Sequence, residues 1–440
     1  MLTEIVASPH YPAFPGTAVR PARVEAMTPA DASSPVDWHE RANEAARSVT
    51  ELFGRRLFFL PGTHLAEVQW PPPGWRDGIK AKLLHPWHYW WQAHYVDCLV
   101  DAGRRELGNG TTAVRFNGPE HPSAGRLASR LLRGIRLRNA FTYVNNYYDD
   151  MAWLALATHR LDQLAEQACR PGRRRNAAVR KTLTLQFDAA CTDDLGGGAF
   201  WSKKRDFKNT PATAPIALFY ARTGQRARAQ SLLDWLDATL FDPDQGLYLD
   251  GARLAPDGNV VIERAVYTYN QGPVLGALLE LGGEANLARA TLVVEAVAQH
   301  LTVPPGGGND GGAEAGQRIV LRCEGTGDGG LFTGILCRYL ALAAADPRLP
   351  LQARAAAARM VTGTAEAFWA GRRPAAPGNG RGRKKEAGRF IFPLHAGDRG
   401  YAPSQAGAAV ELSTQLQAWM AIEAATSIAT LDYGTQQLRN

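Results

Sequence analysis

Two successive aspartates, Asp149-Asp150, stand where chemistry is most concentrated in this chain. Asn145-Asn146-Tyr147-Tyr148 precedes them and Met151-Ala152-Trp153-Leu154 follows. The first stretch supplies amide and phenol donors, and the second reads as the opening turn of a helix. Cleaving a glycosidic bond needs two carboxyl groups across that bond, one handling the proton and one acting at the anomeric carbon. Successive helical residues point roughly 100° apart, so neighbouring carboxyls can flank one sugar without stacking on each other. Acidic residues at a helix start also have a plain structural reason, since they favour the positive end of the helix dipole. A second pair, Asp193-Asp194 before Gly196-Gly197-Gly198, competes for the same role.

The aromatic residues are grouped. Trp87, Tyr89, Trp90 and Trp91 lie together, Tyr143, Tyr147, Tyr148 and Trp153 surround the first acidic pair, and Trp201 with Phe207 follows the glycine run. Core aromatics usually sit inside apolar stripes, whereas these stand beside Asp, Asn, Gln and Lys. Rings of that kind cover the apolar faces of pyranoses while polar neighbours bind the hydroxyls. Burial in a core is the competing reading for each ring taken singly. Other chemistries find little support. His85, His88 and His94 have no acidic partner before Asp97, so no metal is expected. The glycine runs at 196–198 and 306–308 lack the Lys-Ser/Thr ending of a phosphate loop, and no GxSxG elbow occurs. No cofactor is expected.

The elements that must position these residues read as helices. Trp91, Tyr95, Cys98 and Leu99 follow a half-buried helical stripe. Thr213-Ala214-Pro215 opens a helix that Thr223-Gly224 closes, and Gly272-Pro273 starts another that Gly282-Gly283 stops. Further helices are expected near 38–54, 124–139, 148–168, 285–301, 351–369 and 407–427, and one follows Gly329-Gly330. Short connections make successive helices antiparallel neighbours. One strand pair, Leu247-Tyr248-Leu249 with Val260-Val261-Ile262, is expected to form a small β-hairpin decoration. The class is all-α, built of helical hairpins.

Composition bounds the rest. With 440 residues, 45% hydrophobic and 21% charged, the chain has ample material for a large core, which excludes a fibre or a disordered polymer. No segment approaches the roughly 18 apolar residues that span a bilayer. The +7 net charge is concentrated in 170–175 and 371–385, both read as solvated loops. They lack interleaved aromatics, so no nucleic-acid partner is expected. Five scattered cysteines form no disulfide framework, and Cys98, Cys169 and Cys337 read as buried small hydrophobes. Residues 1–36 form a Pro-rich arm, 37–428 the main domain and 429–440 a polar tail. The start of the sequence has no secretory pattern, so the expected compartment is cytoplasmic, or the cell envelope if a leader precedes it.

Asn146-Tyr147-Tyr148-Asp149-Asp150-Met151-Ala152-Trp153 resembles the signature of glycoside hydrolase family 76, the endo-α-1,6-mannanases. The blocks Trp90-Trp91-Gln92-Ala93-His94, Gly197-Gly198-Ala199-Phe200-Trp201, Phe207-Lys208-Asn209-Thr210, Tyr267-Thr268-Tyr269-Asn270-Gln271-Gly272 and Asp328-Gly329-Gly330-Leu331-Phe332 are similar to that family's other blocks, in order. The resemblance implies an (α/α)6 barrel, a toroid of six helical hairpins with the groove at one end. It also implies a retaining double displacement on α-1,6-mannan. The basic segments at 170–175 and 371–385 depart from the family pattern and point to an anionic substrate such as a lipid-anchored mannan, and a monomer is expected. Asp149 matches the nucleophile and Asp150 the acid/base. Physics then asks that Asp149 be ionised, held by Asn145, Asn146 or a Tyr, and that Asp150 be kept protonated by burial and its like-charged neighbour. Trp201, Lys208, Asn209, Tyr269 and Asn270 match groove positions. Trp91, Asn145, Asn146, Tyr147, Tyr148, Asp194 and Gly198 complete the expected substrate-binding set. A transglycosylase of the same family and a non-catalytic mannan binder are the alternatives.

Overall fold

The computed structural model describes residues 36–72, 86–108, 114–170, 173–255, 257–303, 319–375, 388–397 and 409–437. The arm of residues 1–36 lies outside them except for Val36. Twelve α-helices occur among the described residues: α1 (Trp38–Leu52), α2 (Tyr89–Leu107), α3 (Ala124–Arg138), α4 (Tyr148–Gln167), α5 (Arg173–Ala190), α6 (Thr210–Arg222), α7 (Arg226–Thr239), α8 (Thr268–Leu281), α9 (Glu284–His300), α10 (Phe332–Ala345), α11 (Leu351–Ala370) and α12 (Leu412–Gln437). The even-numbered helices pack in a closed ring, α2 on α4, α4 on α6, α6 on α8, α8 on α10, α10 on α12 and α12 back on α2. The odd-numbered ones lie outside it, each against one or two ring members. This is an (α/α)6 barrel.

Sequence explains which helix goes where. Outer helix α3 buries Leu127, Ala128, Leu131, Leu132 and Ile135, one stripe at helical spacing, and leaves arginines outside. Inner helices are buried nearly all round, as α10 is through Ile335, Leu336, Cys337, Tyr339 and Leu340. Small residues let the ring close: a Cβ on Gly272 or Gly276 would come within 2.7 Å of the Tyr339 ring, and one on Gly334 within 2.7 Å of the Gln417 backbone. The inner helices all start at one end of the barrel, because each is entered from an antiparallel outer partner.

A recurrent device pins the loops over that end. The fourth residue of an inner helix holds both backbone polar groups of one loop residue. Gln92 accepts from Ala66 N and donates to Ala66 O, Gln271 does the same with Tyr248, and Gln415 with Phe392. Thr213 receives the amide of Ala199 at 3.0 Å. Each buried amide thus satisfies groups that would otherwise lose water without replacement. Deeper along the barrel, Asp97 and Asp101 of α2 meet Arg160 of α4 and Arg338 of α10 in a buried quartet. Burial alone would raise the Asp97 carboxyl, but the two guanidiniums outweigh it and hold the group below its ordinary range.

Several elements differ from the sequence expectation. α6 begins at Thr210 under an Asn209 cap, and α8 at Thr268, so Pro215 and Pro273 sit inside helices rather than opening them. The hairpin forms between Gly251–Leu254 and Val260–Glu263, with Lys208–Asn209 as a third strand, whereas Leu247–Tyr248 pairs with Phe241–Asp242. The basic run near 170–175 enters α5, and Arg372 lies 3.8 Å over the Trp369 ring. Cys169 is exposed, with φ +50° just past α4. α12 continues to Gln437, beyond the boundary placed at 428. Among the described residues no helix is long and apolar enough to cross a membrane.

Removing one member of a buried ion network strands the others, at a typical cost of about 3–5 kcal/mol. Arg160→Met is therefore expected to lower the Tm sharply, and thermal unfolding checks it.

Candidate active site

Asp149 and Asp150 occupy the first turn of α4, at the barrel end where the inner helices start. They face different donors. One Asp149 oxygen accepts from the Asp150 amide at 2.9 Å and the other from Trp201 Nε1 at 2.9 Å. Asp150 Oδ2 accepts from Asn145 Nδ2 at 2.6 Å, and Asn145 Oδ1 in turn receives the Tyr147 amide. Asn145 thus holds the expected acid and an indole holds the expected nucleophile, the reverse of a simple amide clamp on Asp149. Loss of water raises both carboxyls. The hydrogen bonds limit the rise for Asp149 to about 7, whereas the Asp149 charge adds to burial and keeps Asp150 well above the carboxylate range.

A third carboxylate stands across the recess. Asp328 Oδ1 receives two indole N–H groups, from Trp90 at 2.8 Å and Trp91 at 2.9 Å, and its charge contributes to the raised Asp149 and Asp150. Beside it Tyr269 stacks on Phe332, ring centroids 3.8 Å apart, with Trp90 and Tyr267 around them. On the other side Tyr147 and Trp201 stand 5.0 Å apart and both are solvent-accessible. Asp250 lies near Tyr269, where burial lifts its carboxyl to about 6 against the pull of the Asn270 amide. The Asn270 Oδ1 atom is buried without a partner.

Of the expected set, Trp91, Asn145, Tyr147, Trp201, Tyr269 and Asn270 adjoin these groups. Asn146 is exposed at the rim, its carbonyl receiving the Lys203 amide. Five others do different work. Lys208 is fully buried, and its ammonium donates to the carbonyls of Thr192, Asp194 and Gly197 at 2.6–2.7 Å. Burial brings that amine down to about 8. Asn209 caps α6 through Ala212 N. Tyr148 is a core residue, and its amide donates to Trp201 O. Gly198, at φ +73°, admits Trp235, which a Cβ would meet at 2.5 Å. The Asp194 side chain receives the Thr192 hydroxyl. Lys208, Asp194 and Gly198 therefore belong to one clamp that shapes the loop carrying Trp201.

Asp328 and Asp250 were outside the expected set, and Trp90 entered it only as a member of an aromatic cluster. Asp328 and Trp90 lie in recognised blocks, but no local signal tells which block residue faces the pair. His88 stacks on Trp91 at 4.0 Å, while His94 lies between Trp90 and Trp153, kept neutral by burial and Arg338 with its ring pushed down to about 3. Among the described residues no three His, Cys, Asp or Glu are arranged to hold a metal; His85 lies outside them.

A helical toroid whose groove holds paired carboxyls between aromatic walls defines an (α/α)6 protein of glycosidase type. The chain belongs to glycosyl hydrolase family 76, whose profile matches residues 73–390. Its structure is similar to the GH76A α-1,6-mannanase of Salegentibacter sp. HEL1_6, at 26% identity, 89% of this chain, 100% of that one and TM-score 0.67. It is equally similar, at TM-score 0.66 with the same identity and coverage, to an inactive variant of that enzyme with two adjacent aspartates replaced by asparagine, in complex with α-1,6-mannotriose. Dfg5 from Chaetomium thermophilum, in complex with glucosamine, shares the fold at 18% identity, 91% and 92% coverage and TM-score 0.54. No curated protein matches.

Replacing Lys208 by Met orphans three carbonyls, each worth about 1–3 kcal/mol when buried. The expected result is a fall in Tm; an unchanged Tm with a raised KM would place Lys208 in the groove. The carboxyl pair has the opposite sign. Both groups bind protons more tightly folded than unfolded, where the pKa is about 3.9. The Asp149 contribution to stability is full below that value and lost as pH rises through about 7, and Asp150, raised by burial and by the Asp149 charge, contributes with the same sign. Asp150→Asn is thus expected to gain Tm over the parent as pH rises, which parallel melts will read.

Proposed function

We propose that this protein is an endo-acting glycosidase that cleaves α-1,6-mannosidic linkages with retention at the anomeric carbon. The observation that carries this reading is the unequal holding of the two carboxyls. Asp149, with both oxygens receiving N–H donors, is the readier to ionise, and Asp150, beside its charge, keeps its proton. In the first step the Asp149 carboxylate attacks C1 of the mannose bound beside it. The C1–O6 bond breaks as Asp150 gives its proton to the departing O6. In the second, Asp150 takes a proton from water, whose oxygen attacks C1 and releases Asp149. Trp201 Nε1 holds the carboxylate at its attacking geometry, and Asn145 orients Asp150. The aromatic walls of Tyr147 with Trp201, and of Trp90, Tyr269 and Phe332, cover the apolar faces of successive sugars. The similarity to an α-1,6-mannanase made inactive by replacing two adjacent aspartates supports both the pair and the linkage.

The test is incubation with linear α-1,6-mannohexaose, following anomeric protons by NMR. Shorter oligomers should appear first as α-anomers, and kcat/KM should rise with pH through about 7 as Asp149 ionises. Asp149→Asn and Asp150→Asn should each lose at least about a hundredfold in rate while staying folded. First products of β configuration would overturn retention, and an inert folded protein would overturn the substrate. Oligomers longer than six sugars would show transfer to glycan in place of water.

A further inference from the structure

Outer helix α3 has a composition that packing does not explain. Its fifteen residues contain Arg126, Arg130, Arg133, Arg136 and Arg138 and no acidic residue. Arg126, Arg130, Arg133 and Arg136 recur at helical spacing and follow one face over about 15 Å. Among the described residues none of these four makes an ion pair. Arg126 stands in the first turn, where the helix dipole disfavours a cation. A solvated helix face ordinarily mixes both signs of charge, and this one does not.

Exposed apolar groups lie beside that row. Arg133 donates to the carbonyl of Gly62, and the Arg130 carbonyl receives the His64 amide, so the loop of residues 57–64 lies along the helix. Its tip, Phe58, Phe59 and Leu60, is 42%, 74% and 46% exposed, while Leu57 beneath is buried. Past the C-terminus of α3, Arg136 donates to the carbonyl of Phe141, a residue 70% exposed. Phe58, Phe59, Ala140 and Phe141 all have φ between +44° and +64°, a backbone that costs these residues energy. The tip is nevertheless built: Thr63 Oγ1 accepts from Leu57 N and donates to Leu60 O. Two strained, well-tied turns thus hold aromatic and aliphatic side chains in water beside a row of arginines.

We infer that this face docks the protein onto a membrane surface rich in anionic phospholipid. Arginines lie at headgroup depth and meet phosphates, while Phe58, Phe59, Leu60 and Phe141 reach the acyl boundary. A nucleic acid would find charge without a stacking groove, and a folded protein partner would normally demand a recess or a flat apolar patch rather than isolated tips. The face borders the catalytic end, since Phe141 precedes Asn145 by four residues. Docking there presents the groove to glycans rooted in the same membrane. The inference does not depend on which glycosidic bond the groove accepts.

Co-sedimentation of the full chain with vesicles tests it, using phosphatidylcholine alone and phosphatidylcholine mixed with phosphatidylglycerol. Binding should require the anionic lipid and fall with added salt. Each arginine removed should weaken partitioning about fivefold, so Arg126→Gln with Arg130→Gln should cost about twenty-five-fold. Phe59→Ser with Phe141→Ser should also release the protein at constant charge. Both double variants should keep the parental Tm and the parental rate on soluble mannohexaose. No binding to anionic vesicles, equal binding to both vesicle types, or parental binding by the variants would each overturn the inference. Retention on heparin without vesicle binding would overturn it in favour of a soluble polyanion.

Discussion

Two carboxyl groups on successive residues, both partly withdrawn from water, are the constraint around which this end of the barrel is organised. Left alone they would both stay protonated, because desolvation and mutual repulsion disfavour the charged forms. Giving them different partners separates them. A tryptophan N–H and a backbone amide favour charge on Asp149, while Asn145 orients Asp150 without relieving the repulsion. The indole comes from a loop some fifty residues downstream, so that loop must be held as firmly as the helix that carries the pair.

Holding it is the work of buried residues. Lys208 gathers the carbonyls of Thr192, Asp194 and Gly197, Gly198 lets Trp235 press against the turn, and Thr213 fastens Ala199. The Gln92, Gln271 and Gln415 amides fasten other loops at the same barrel end in the same way. Each has the physical logic of a helix cap turned outward: a buried donor or acceptor is satisfied, and the loop's freedom is removed. Asp328 between Trp90 and Trp91 repeats the pattern of a carboxylate gripped by indoles.

The barrel separates these tasks by depth. The starts of the inner helices carry chemistry, and the middle carries the Asp97–Asp101–Arg160–Arg338 quartet that ties α2, α4 and α10 together. The outer wall is free to serve another purpose, and the charge on α3 and the exposed rings in the turns beside it are of a kind that neither core nor groove requires.

The helical class and the Asp149-Asp150 pair with its aromatic surroundings were legible in the sequence. Periodicity and a local cluster of donors are carried by neighbouring residues, and the ordered blocks named the family. Two proline-bearing helices began earlier than expected, because an Asn209 cap and the packing of α8 outweigh the local signal of Pro215 and Pro273. The blocks did not say which member faces the carboxyl pair. Lys208 and Asn209 look like ligands by type, yet one is buried among carbonyls and the other caps a helix. Asp328 and Asp250 reach the groove from loops far away in the chain, and that meeting is decided only when the inner helices close their ring. A residue's type and its near neighbours determine what chemistry it is capable of; which way its side chain points depends on helices hundreds of residues apart.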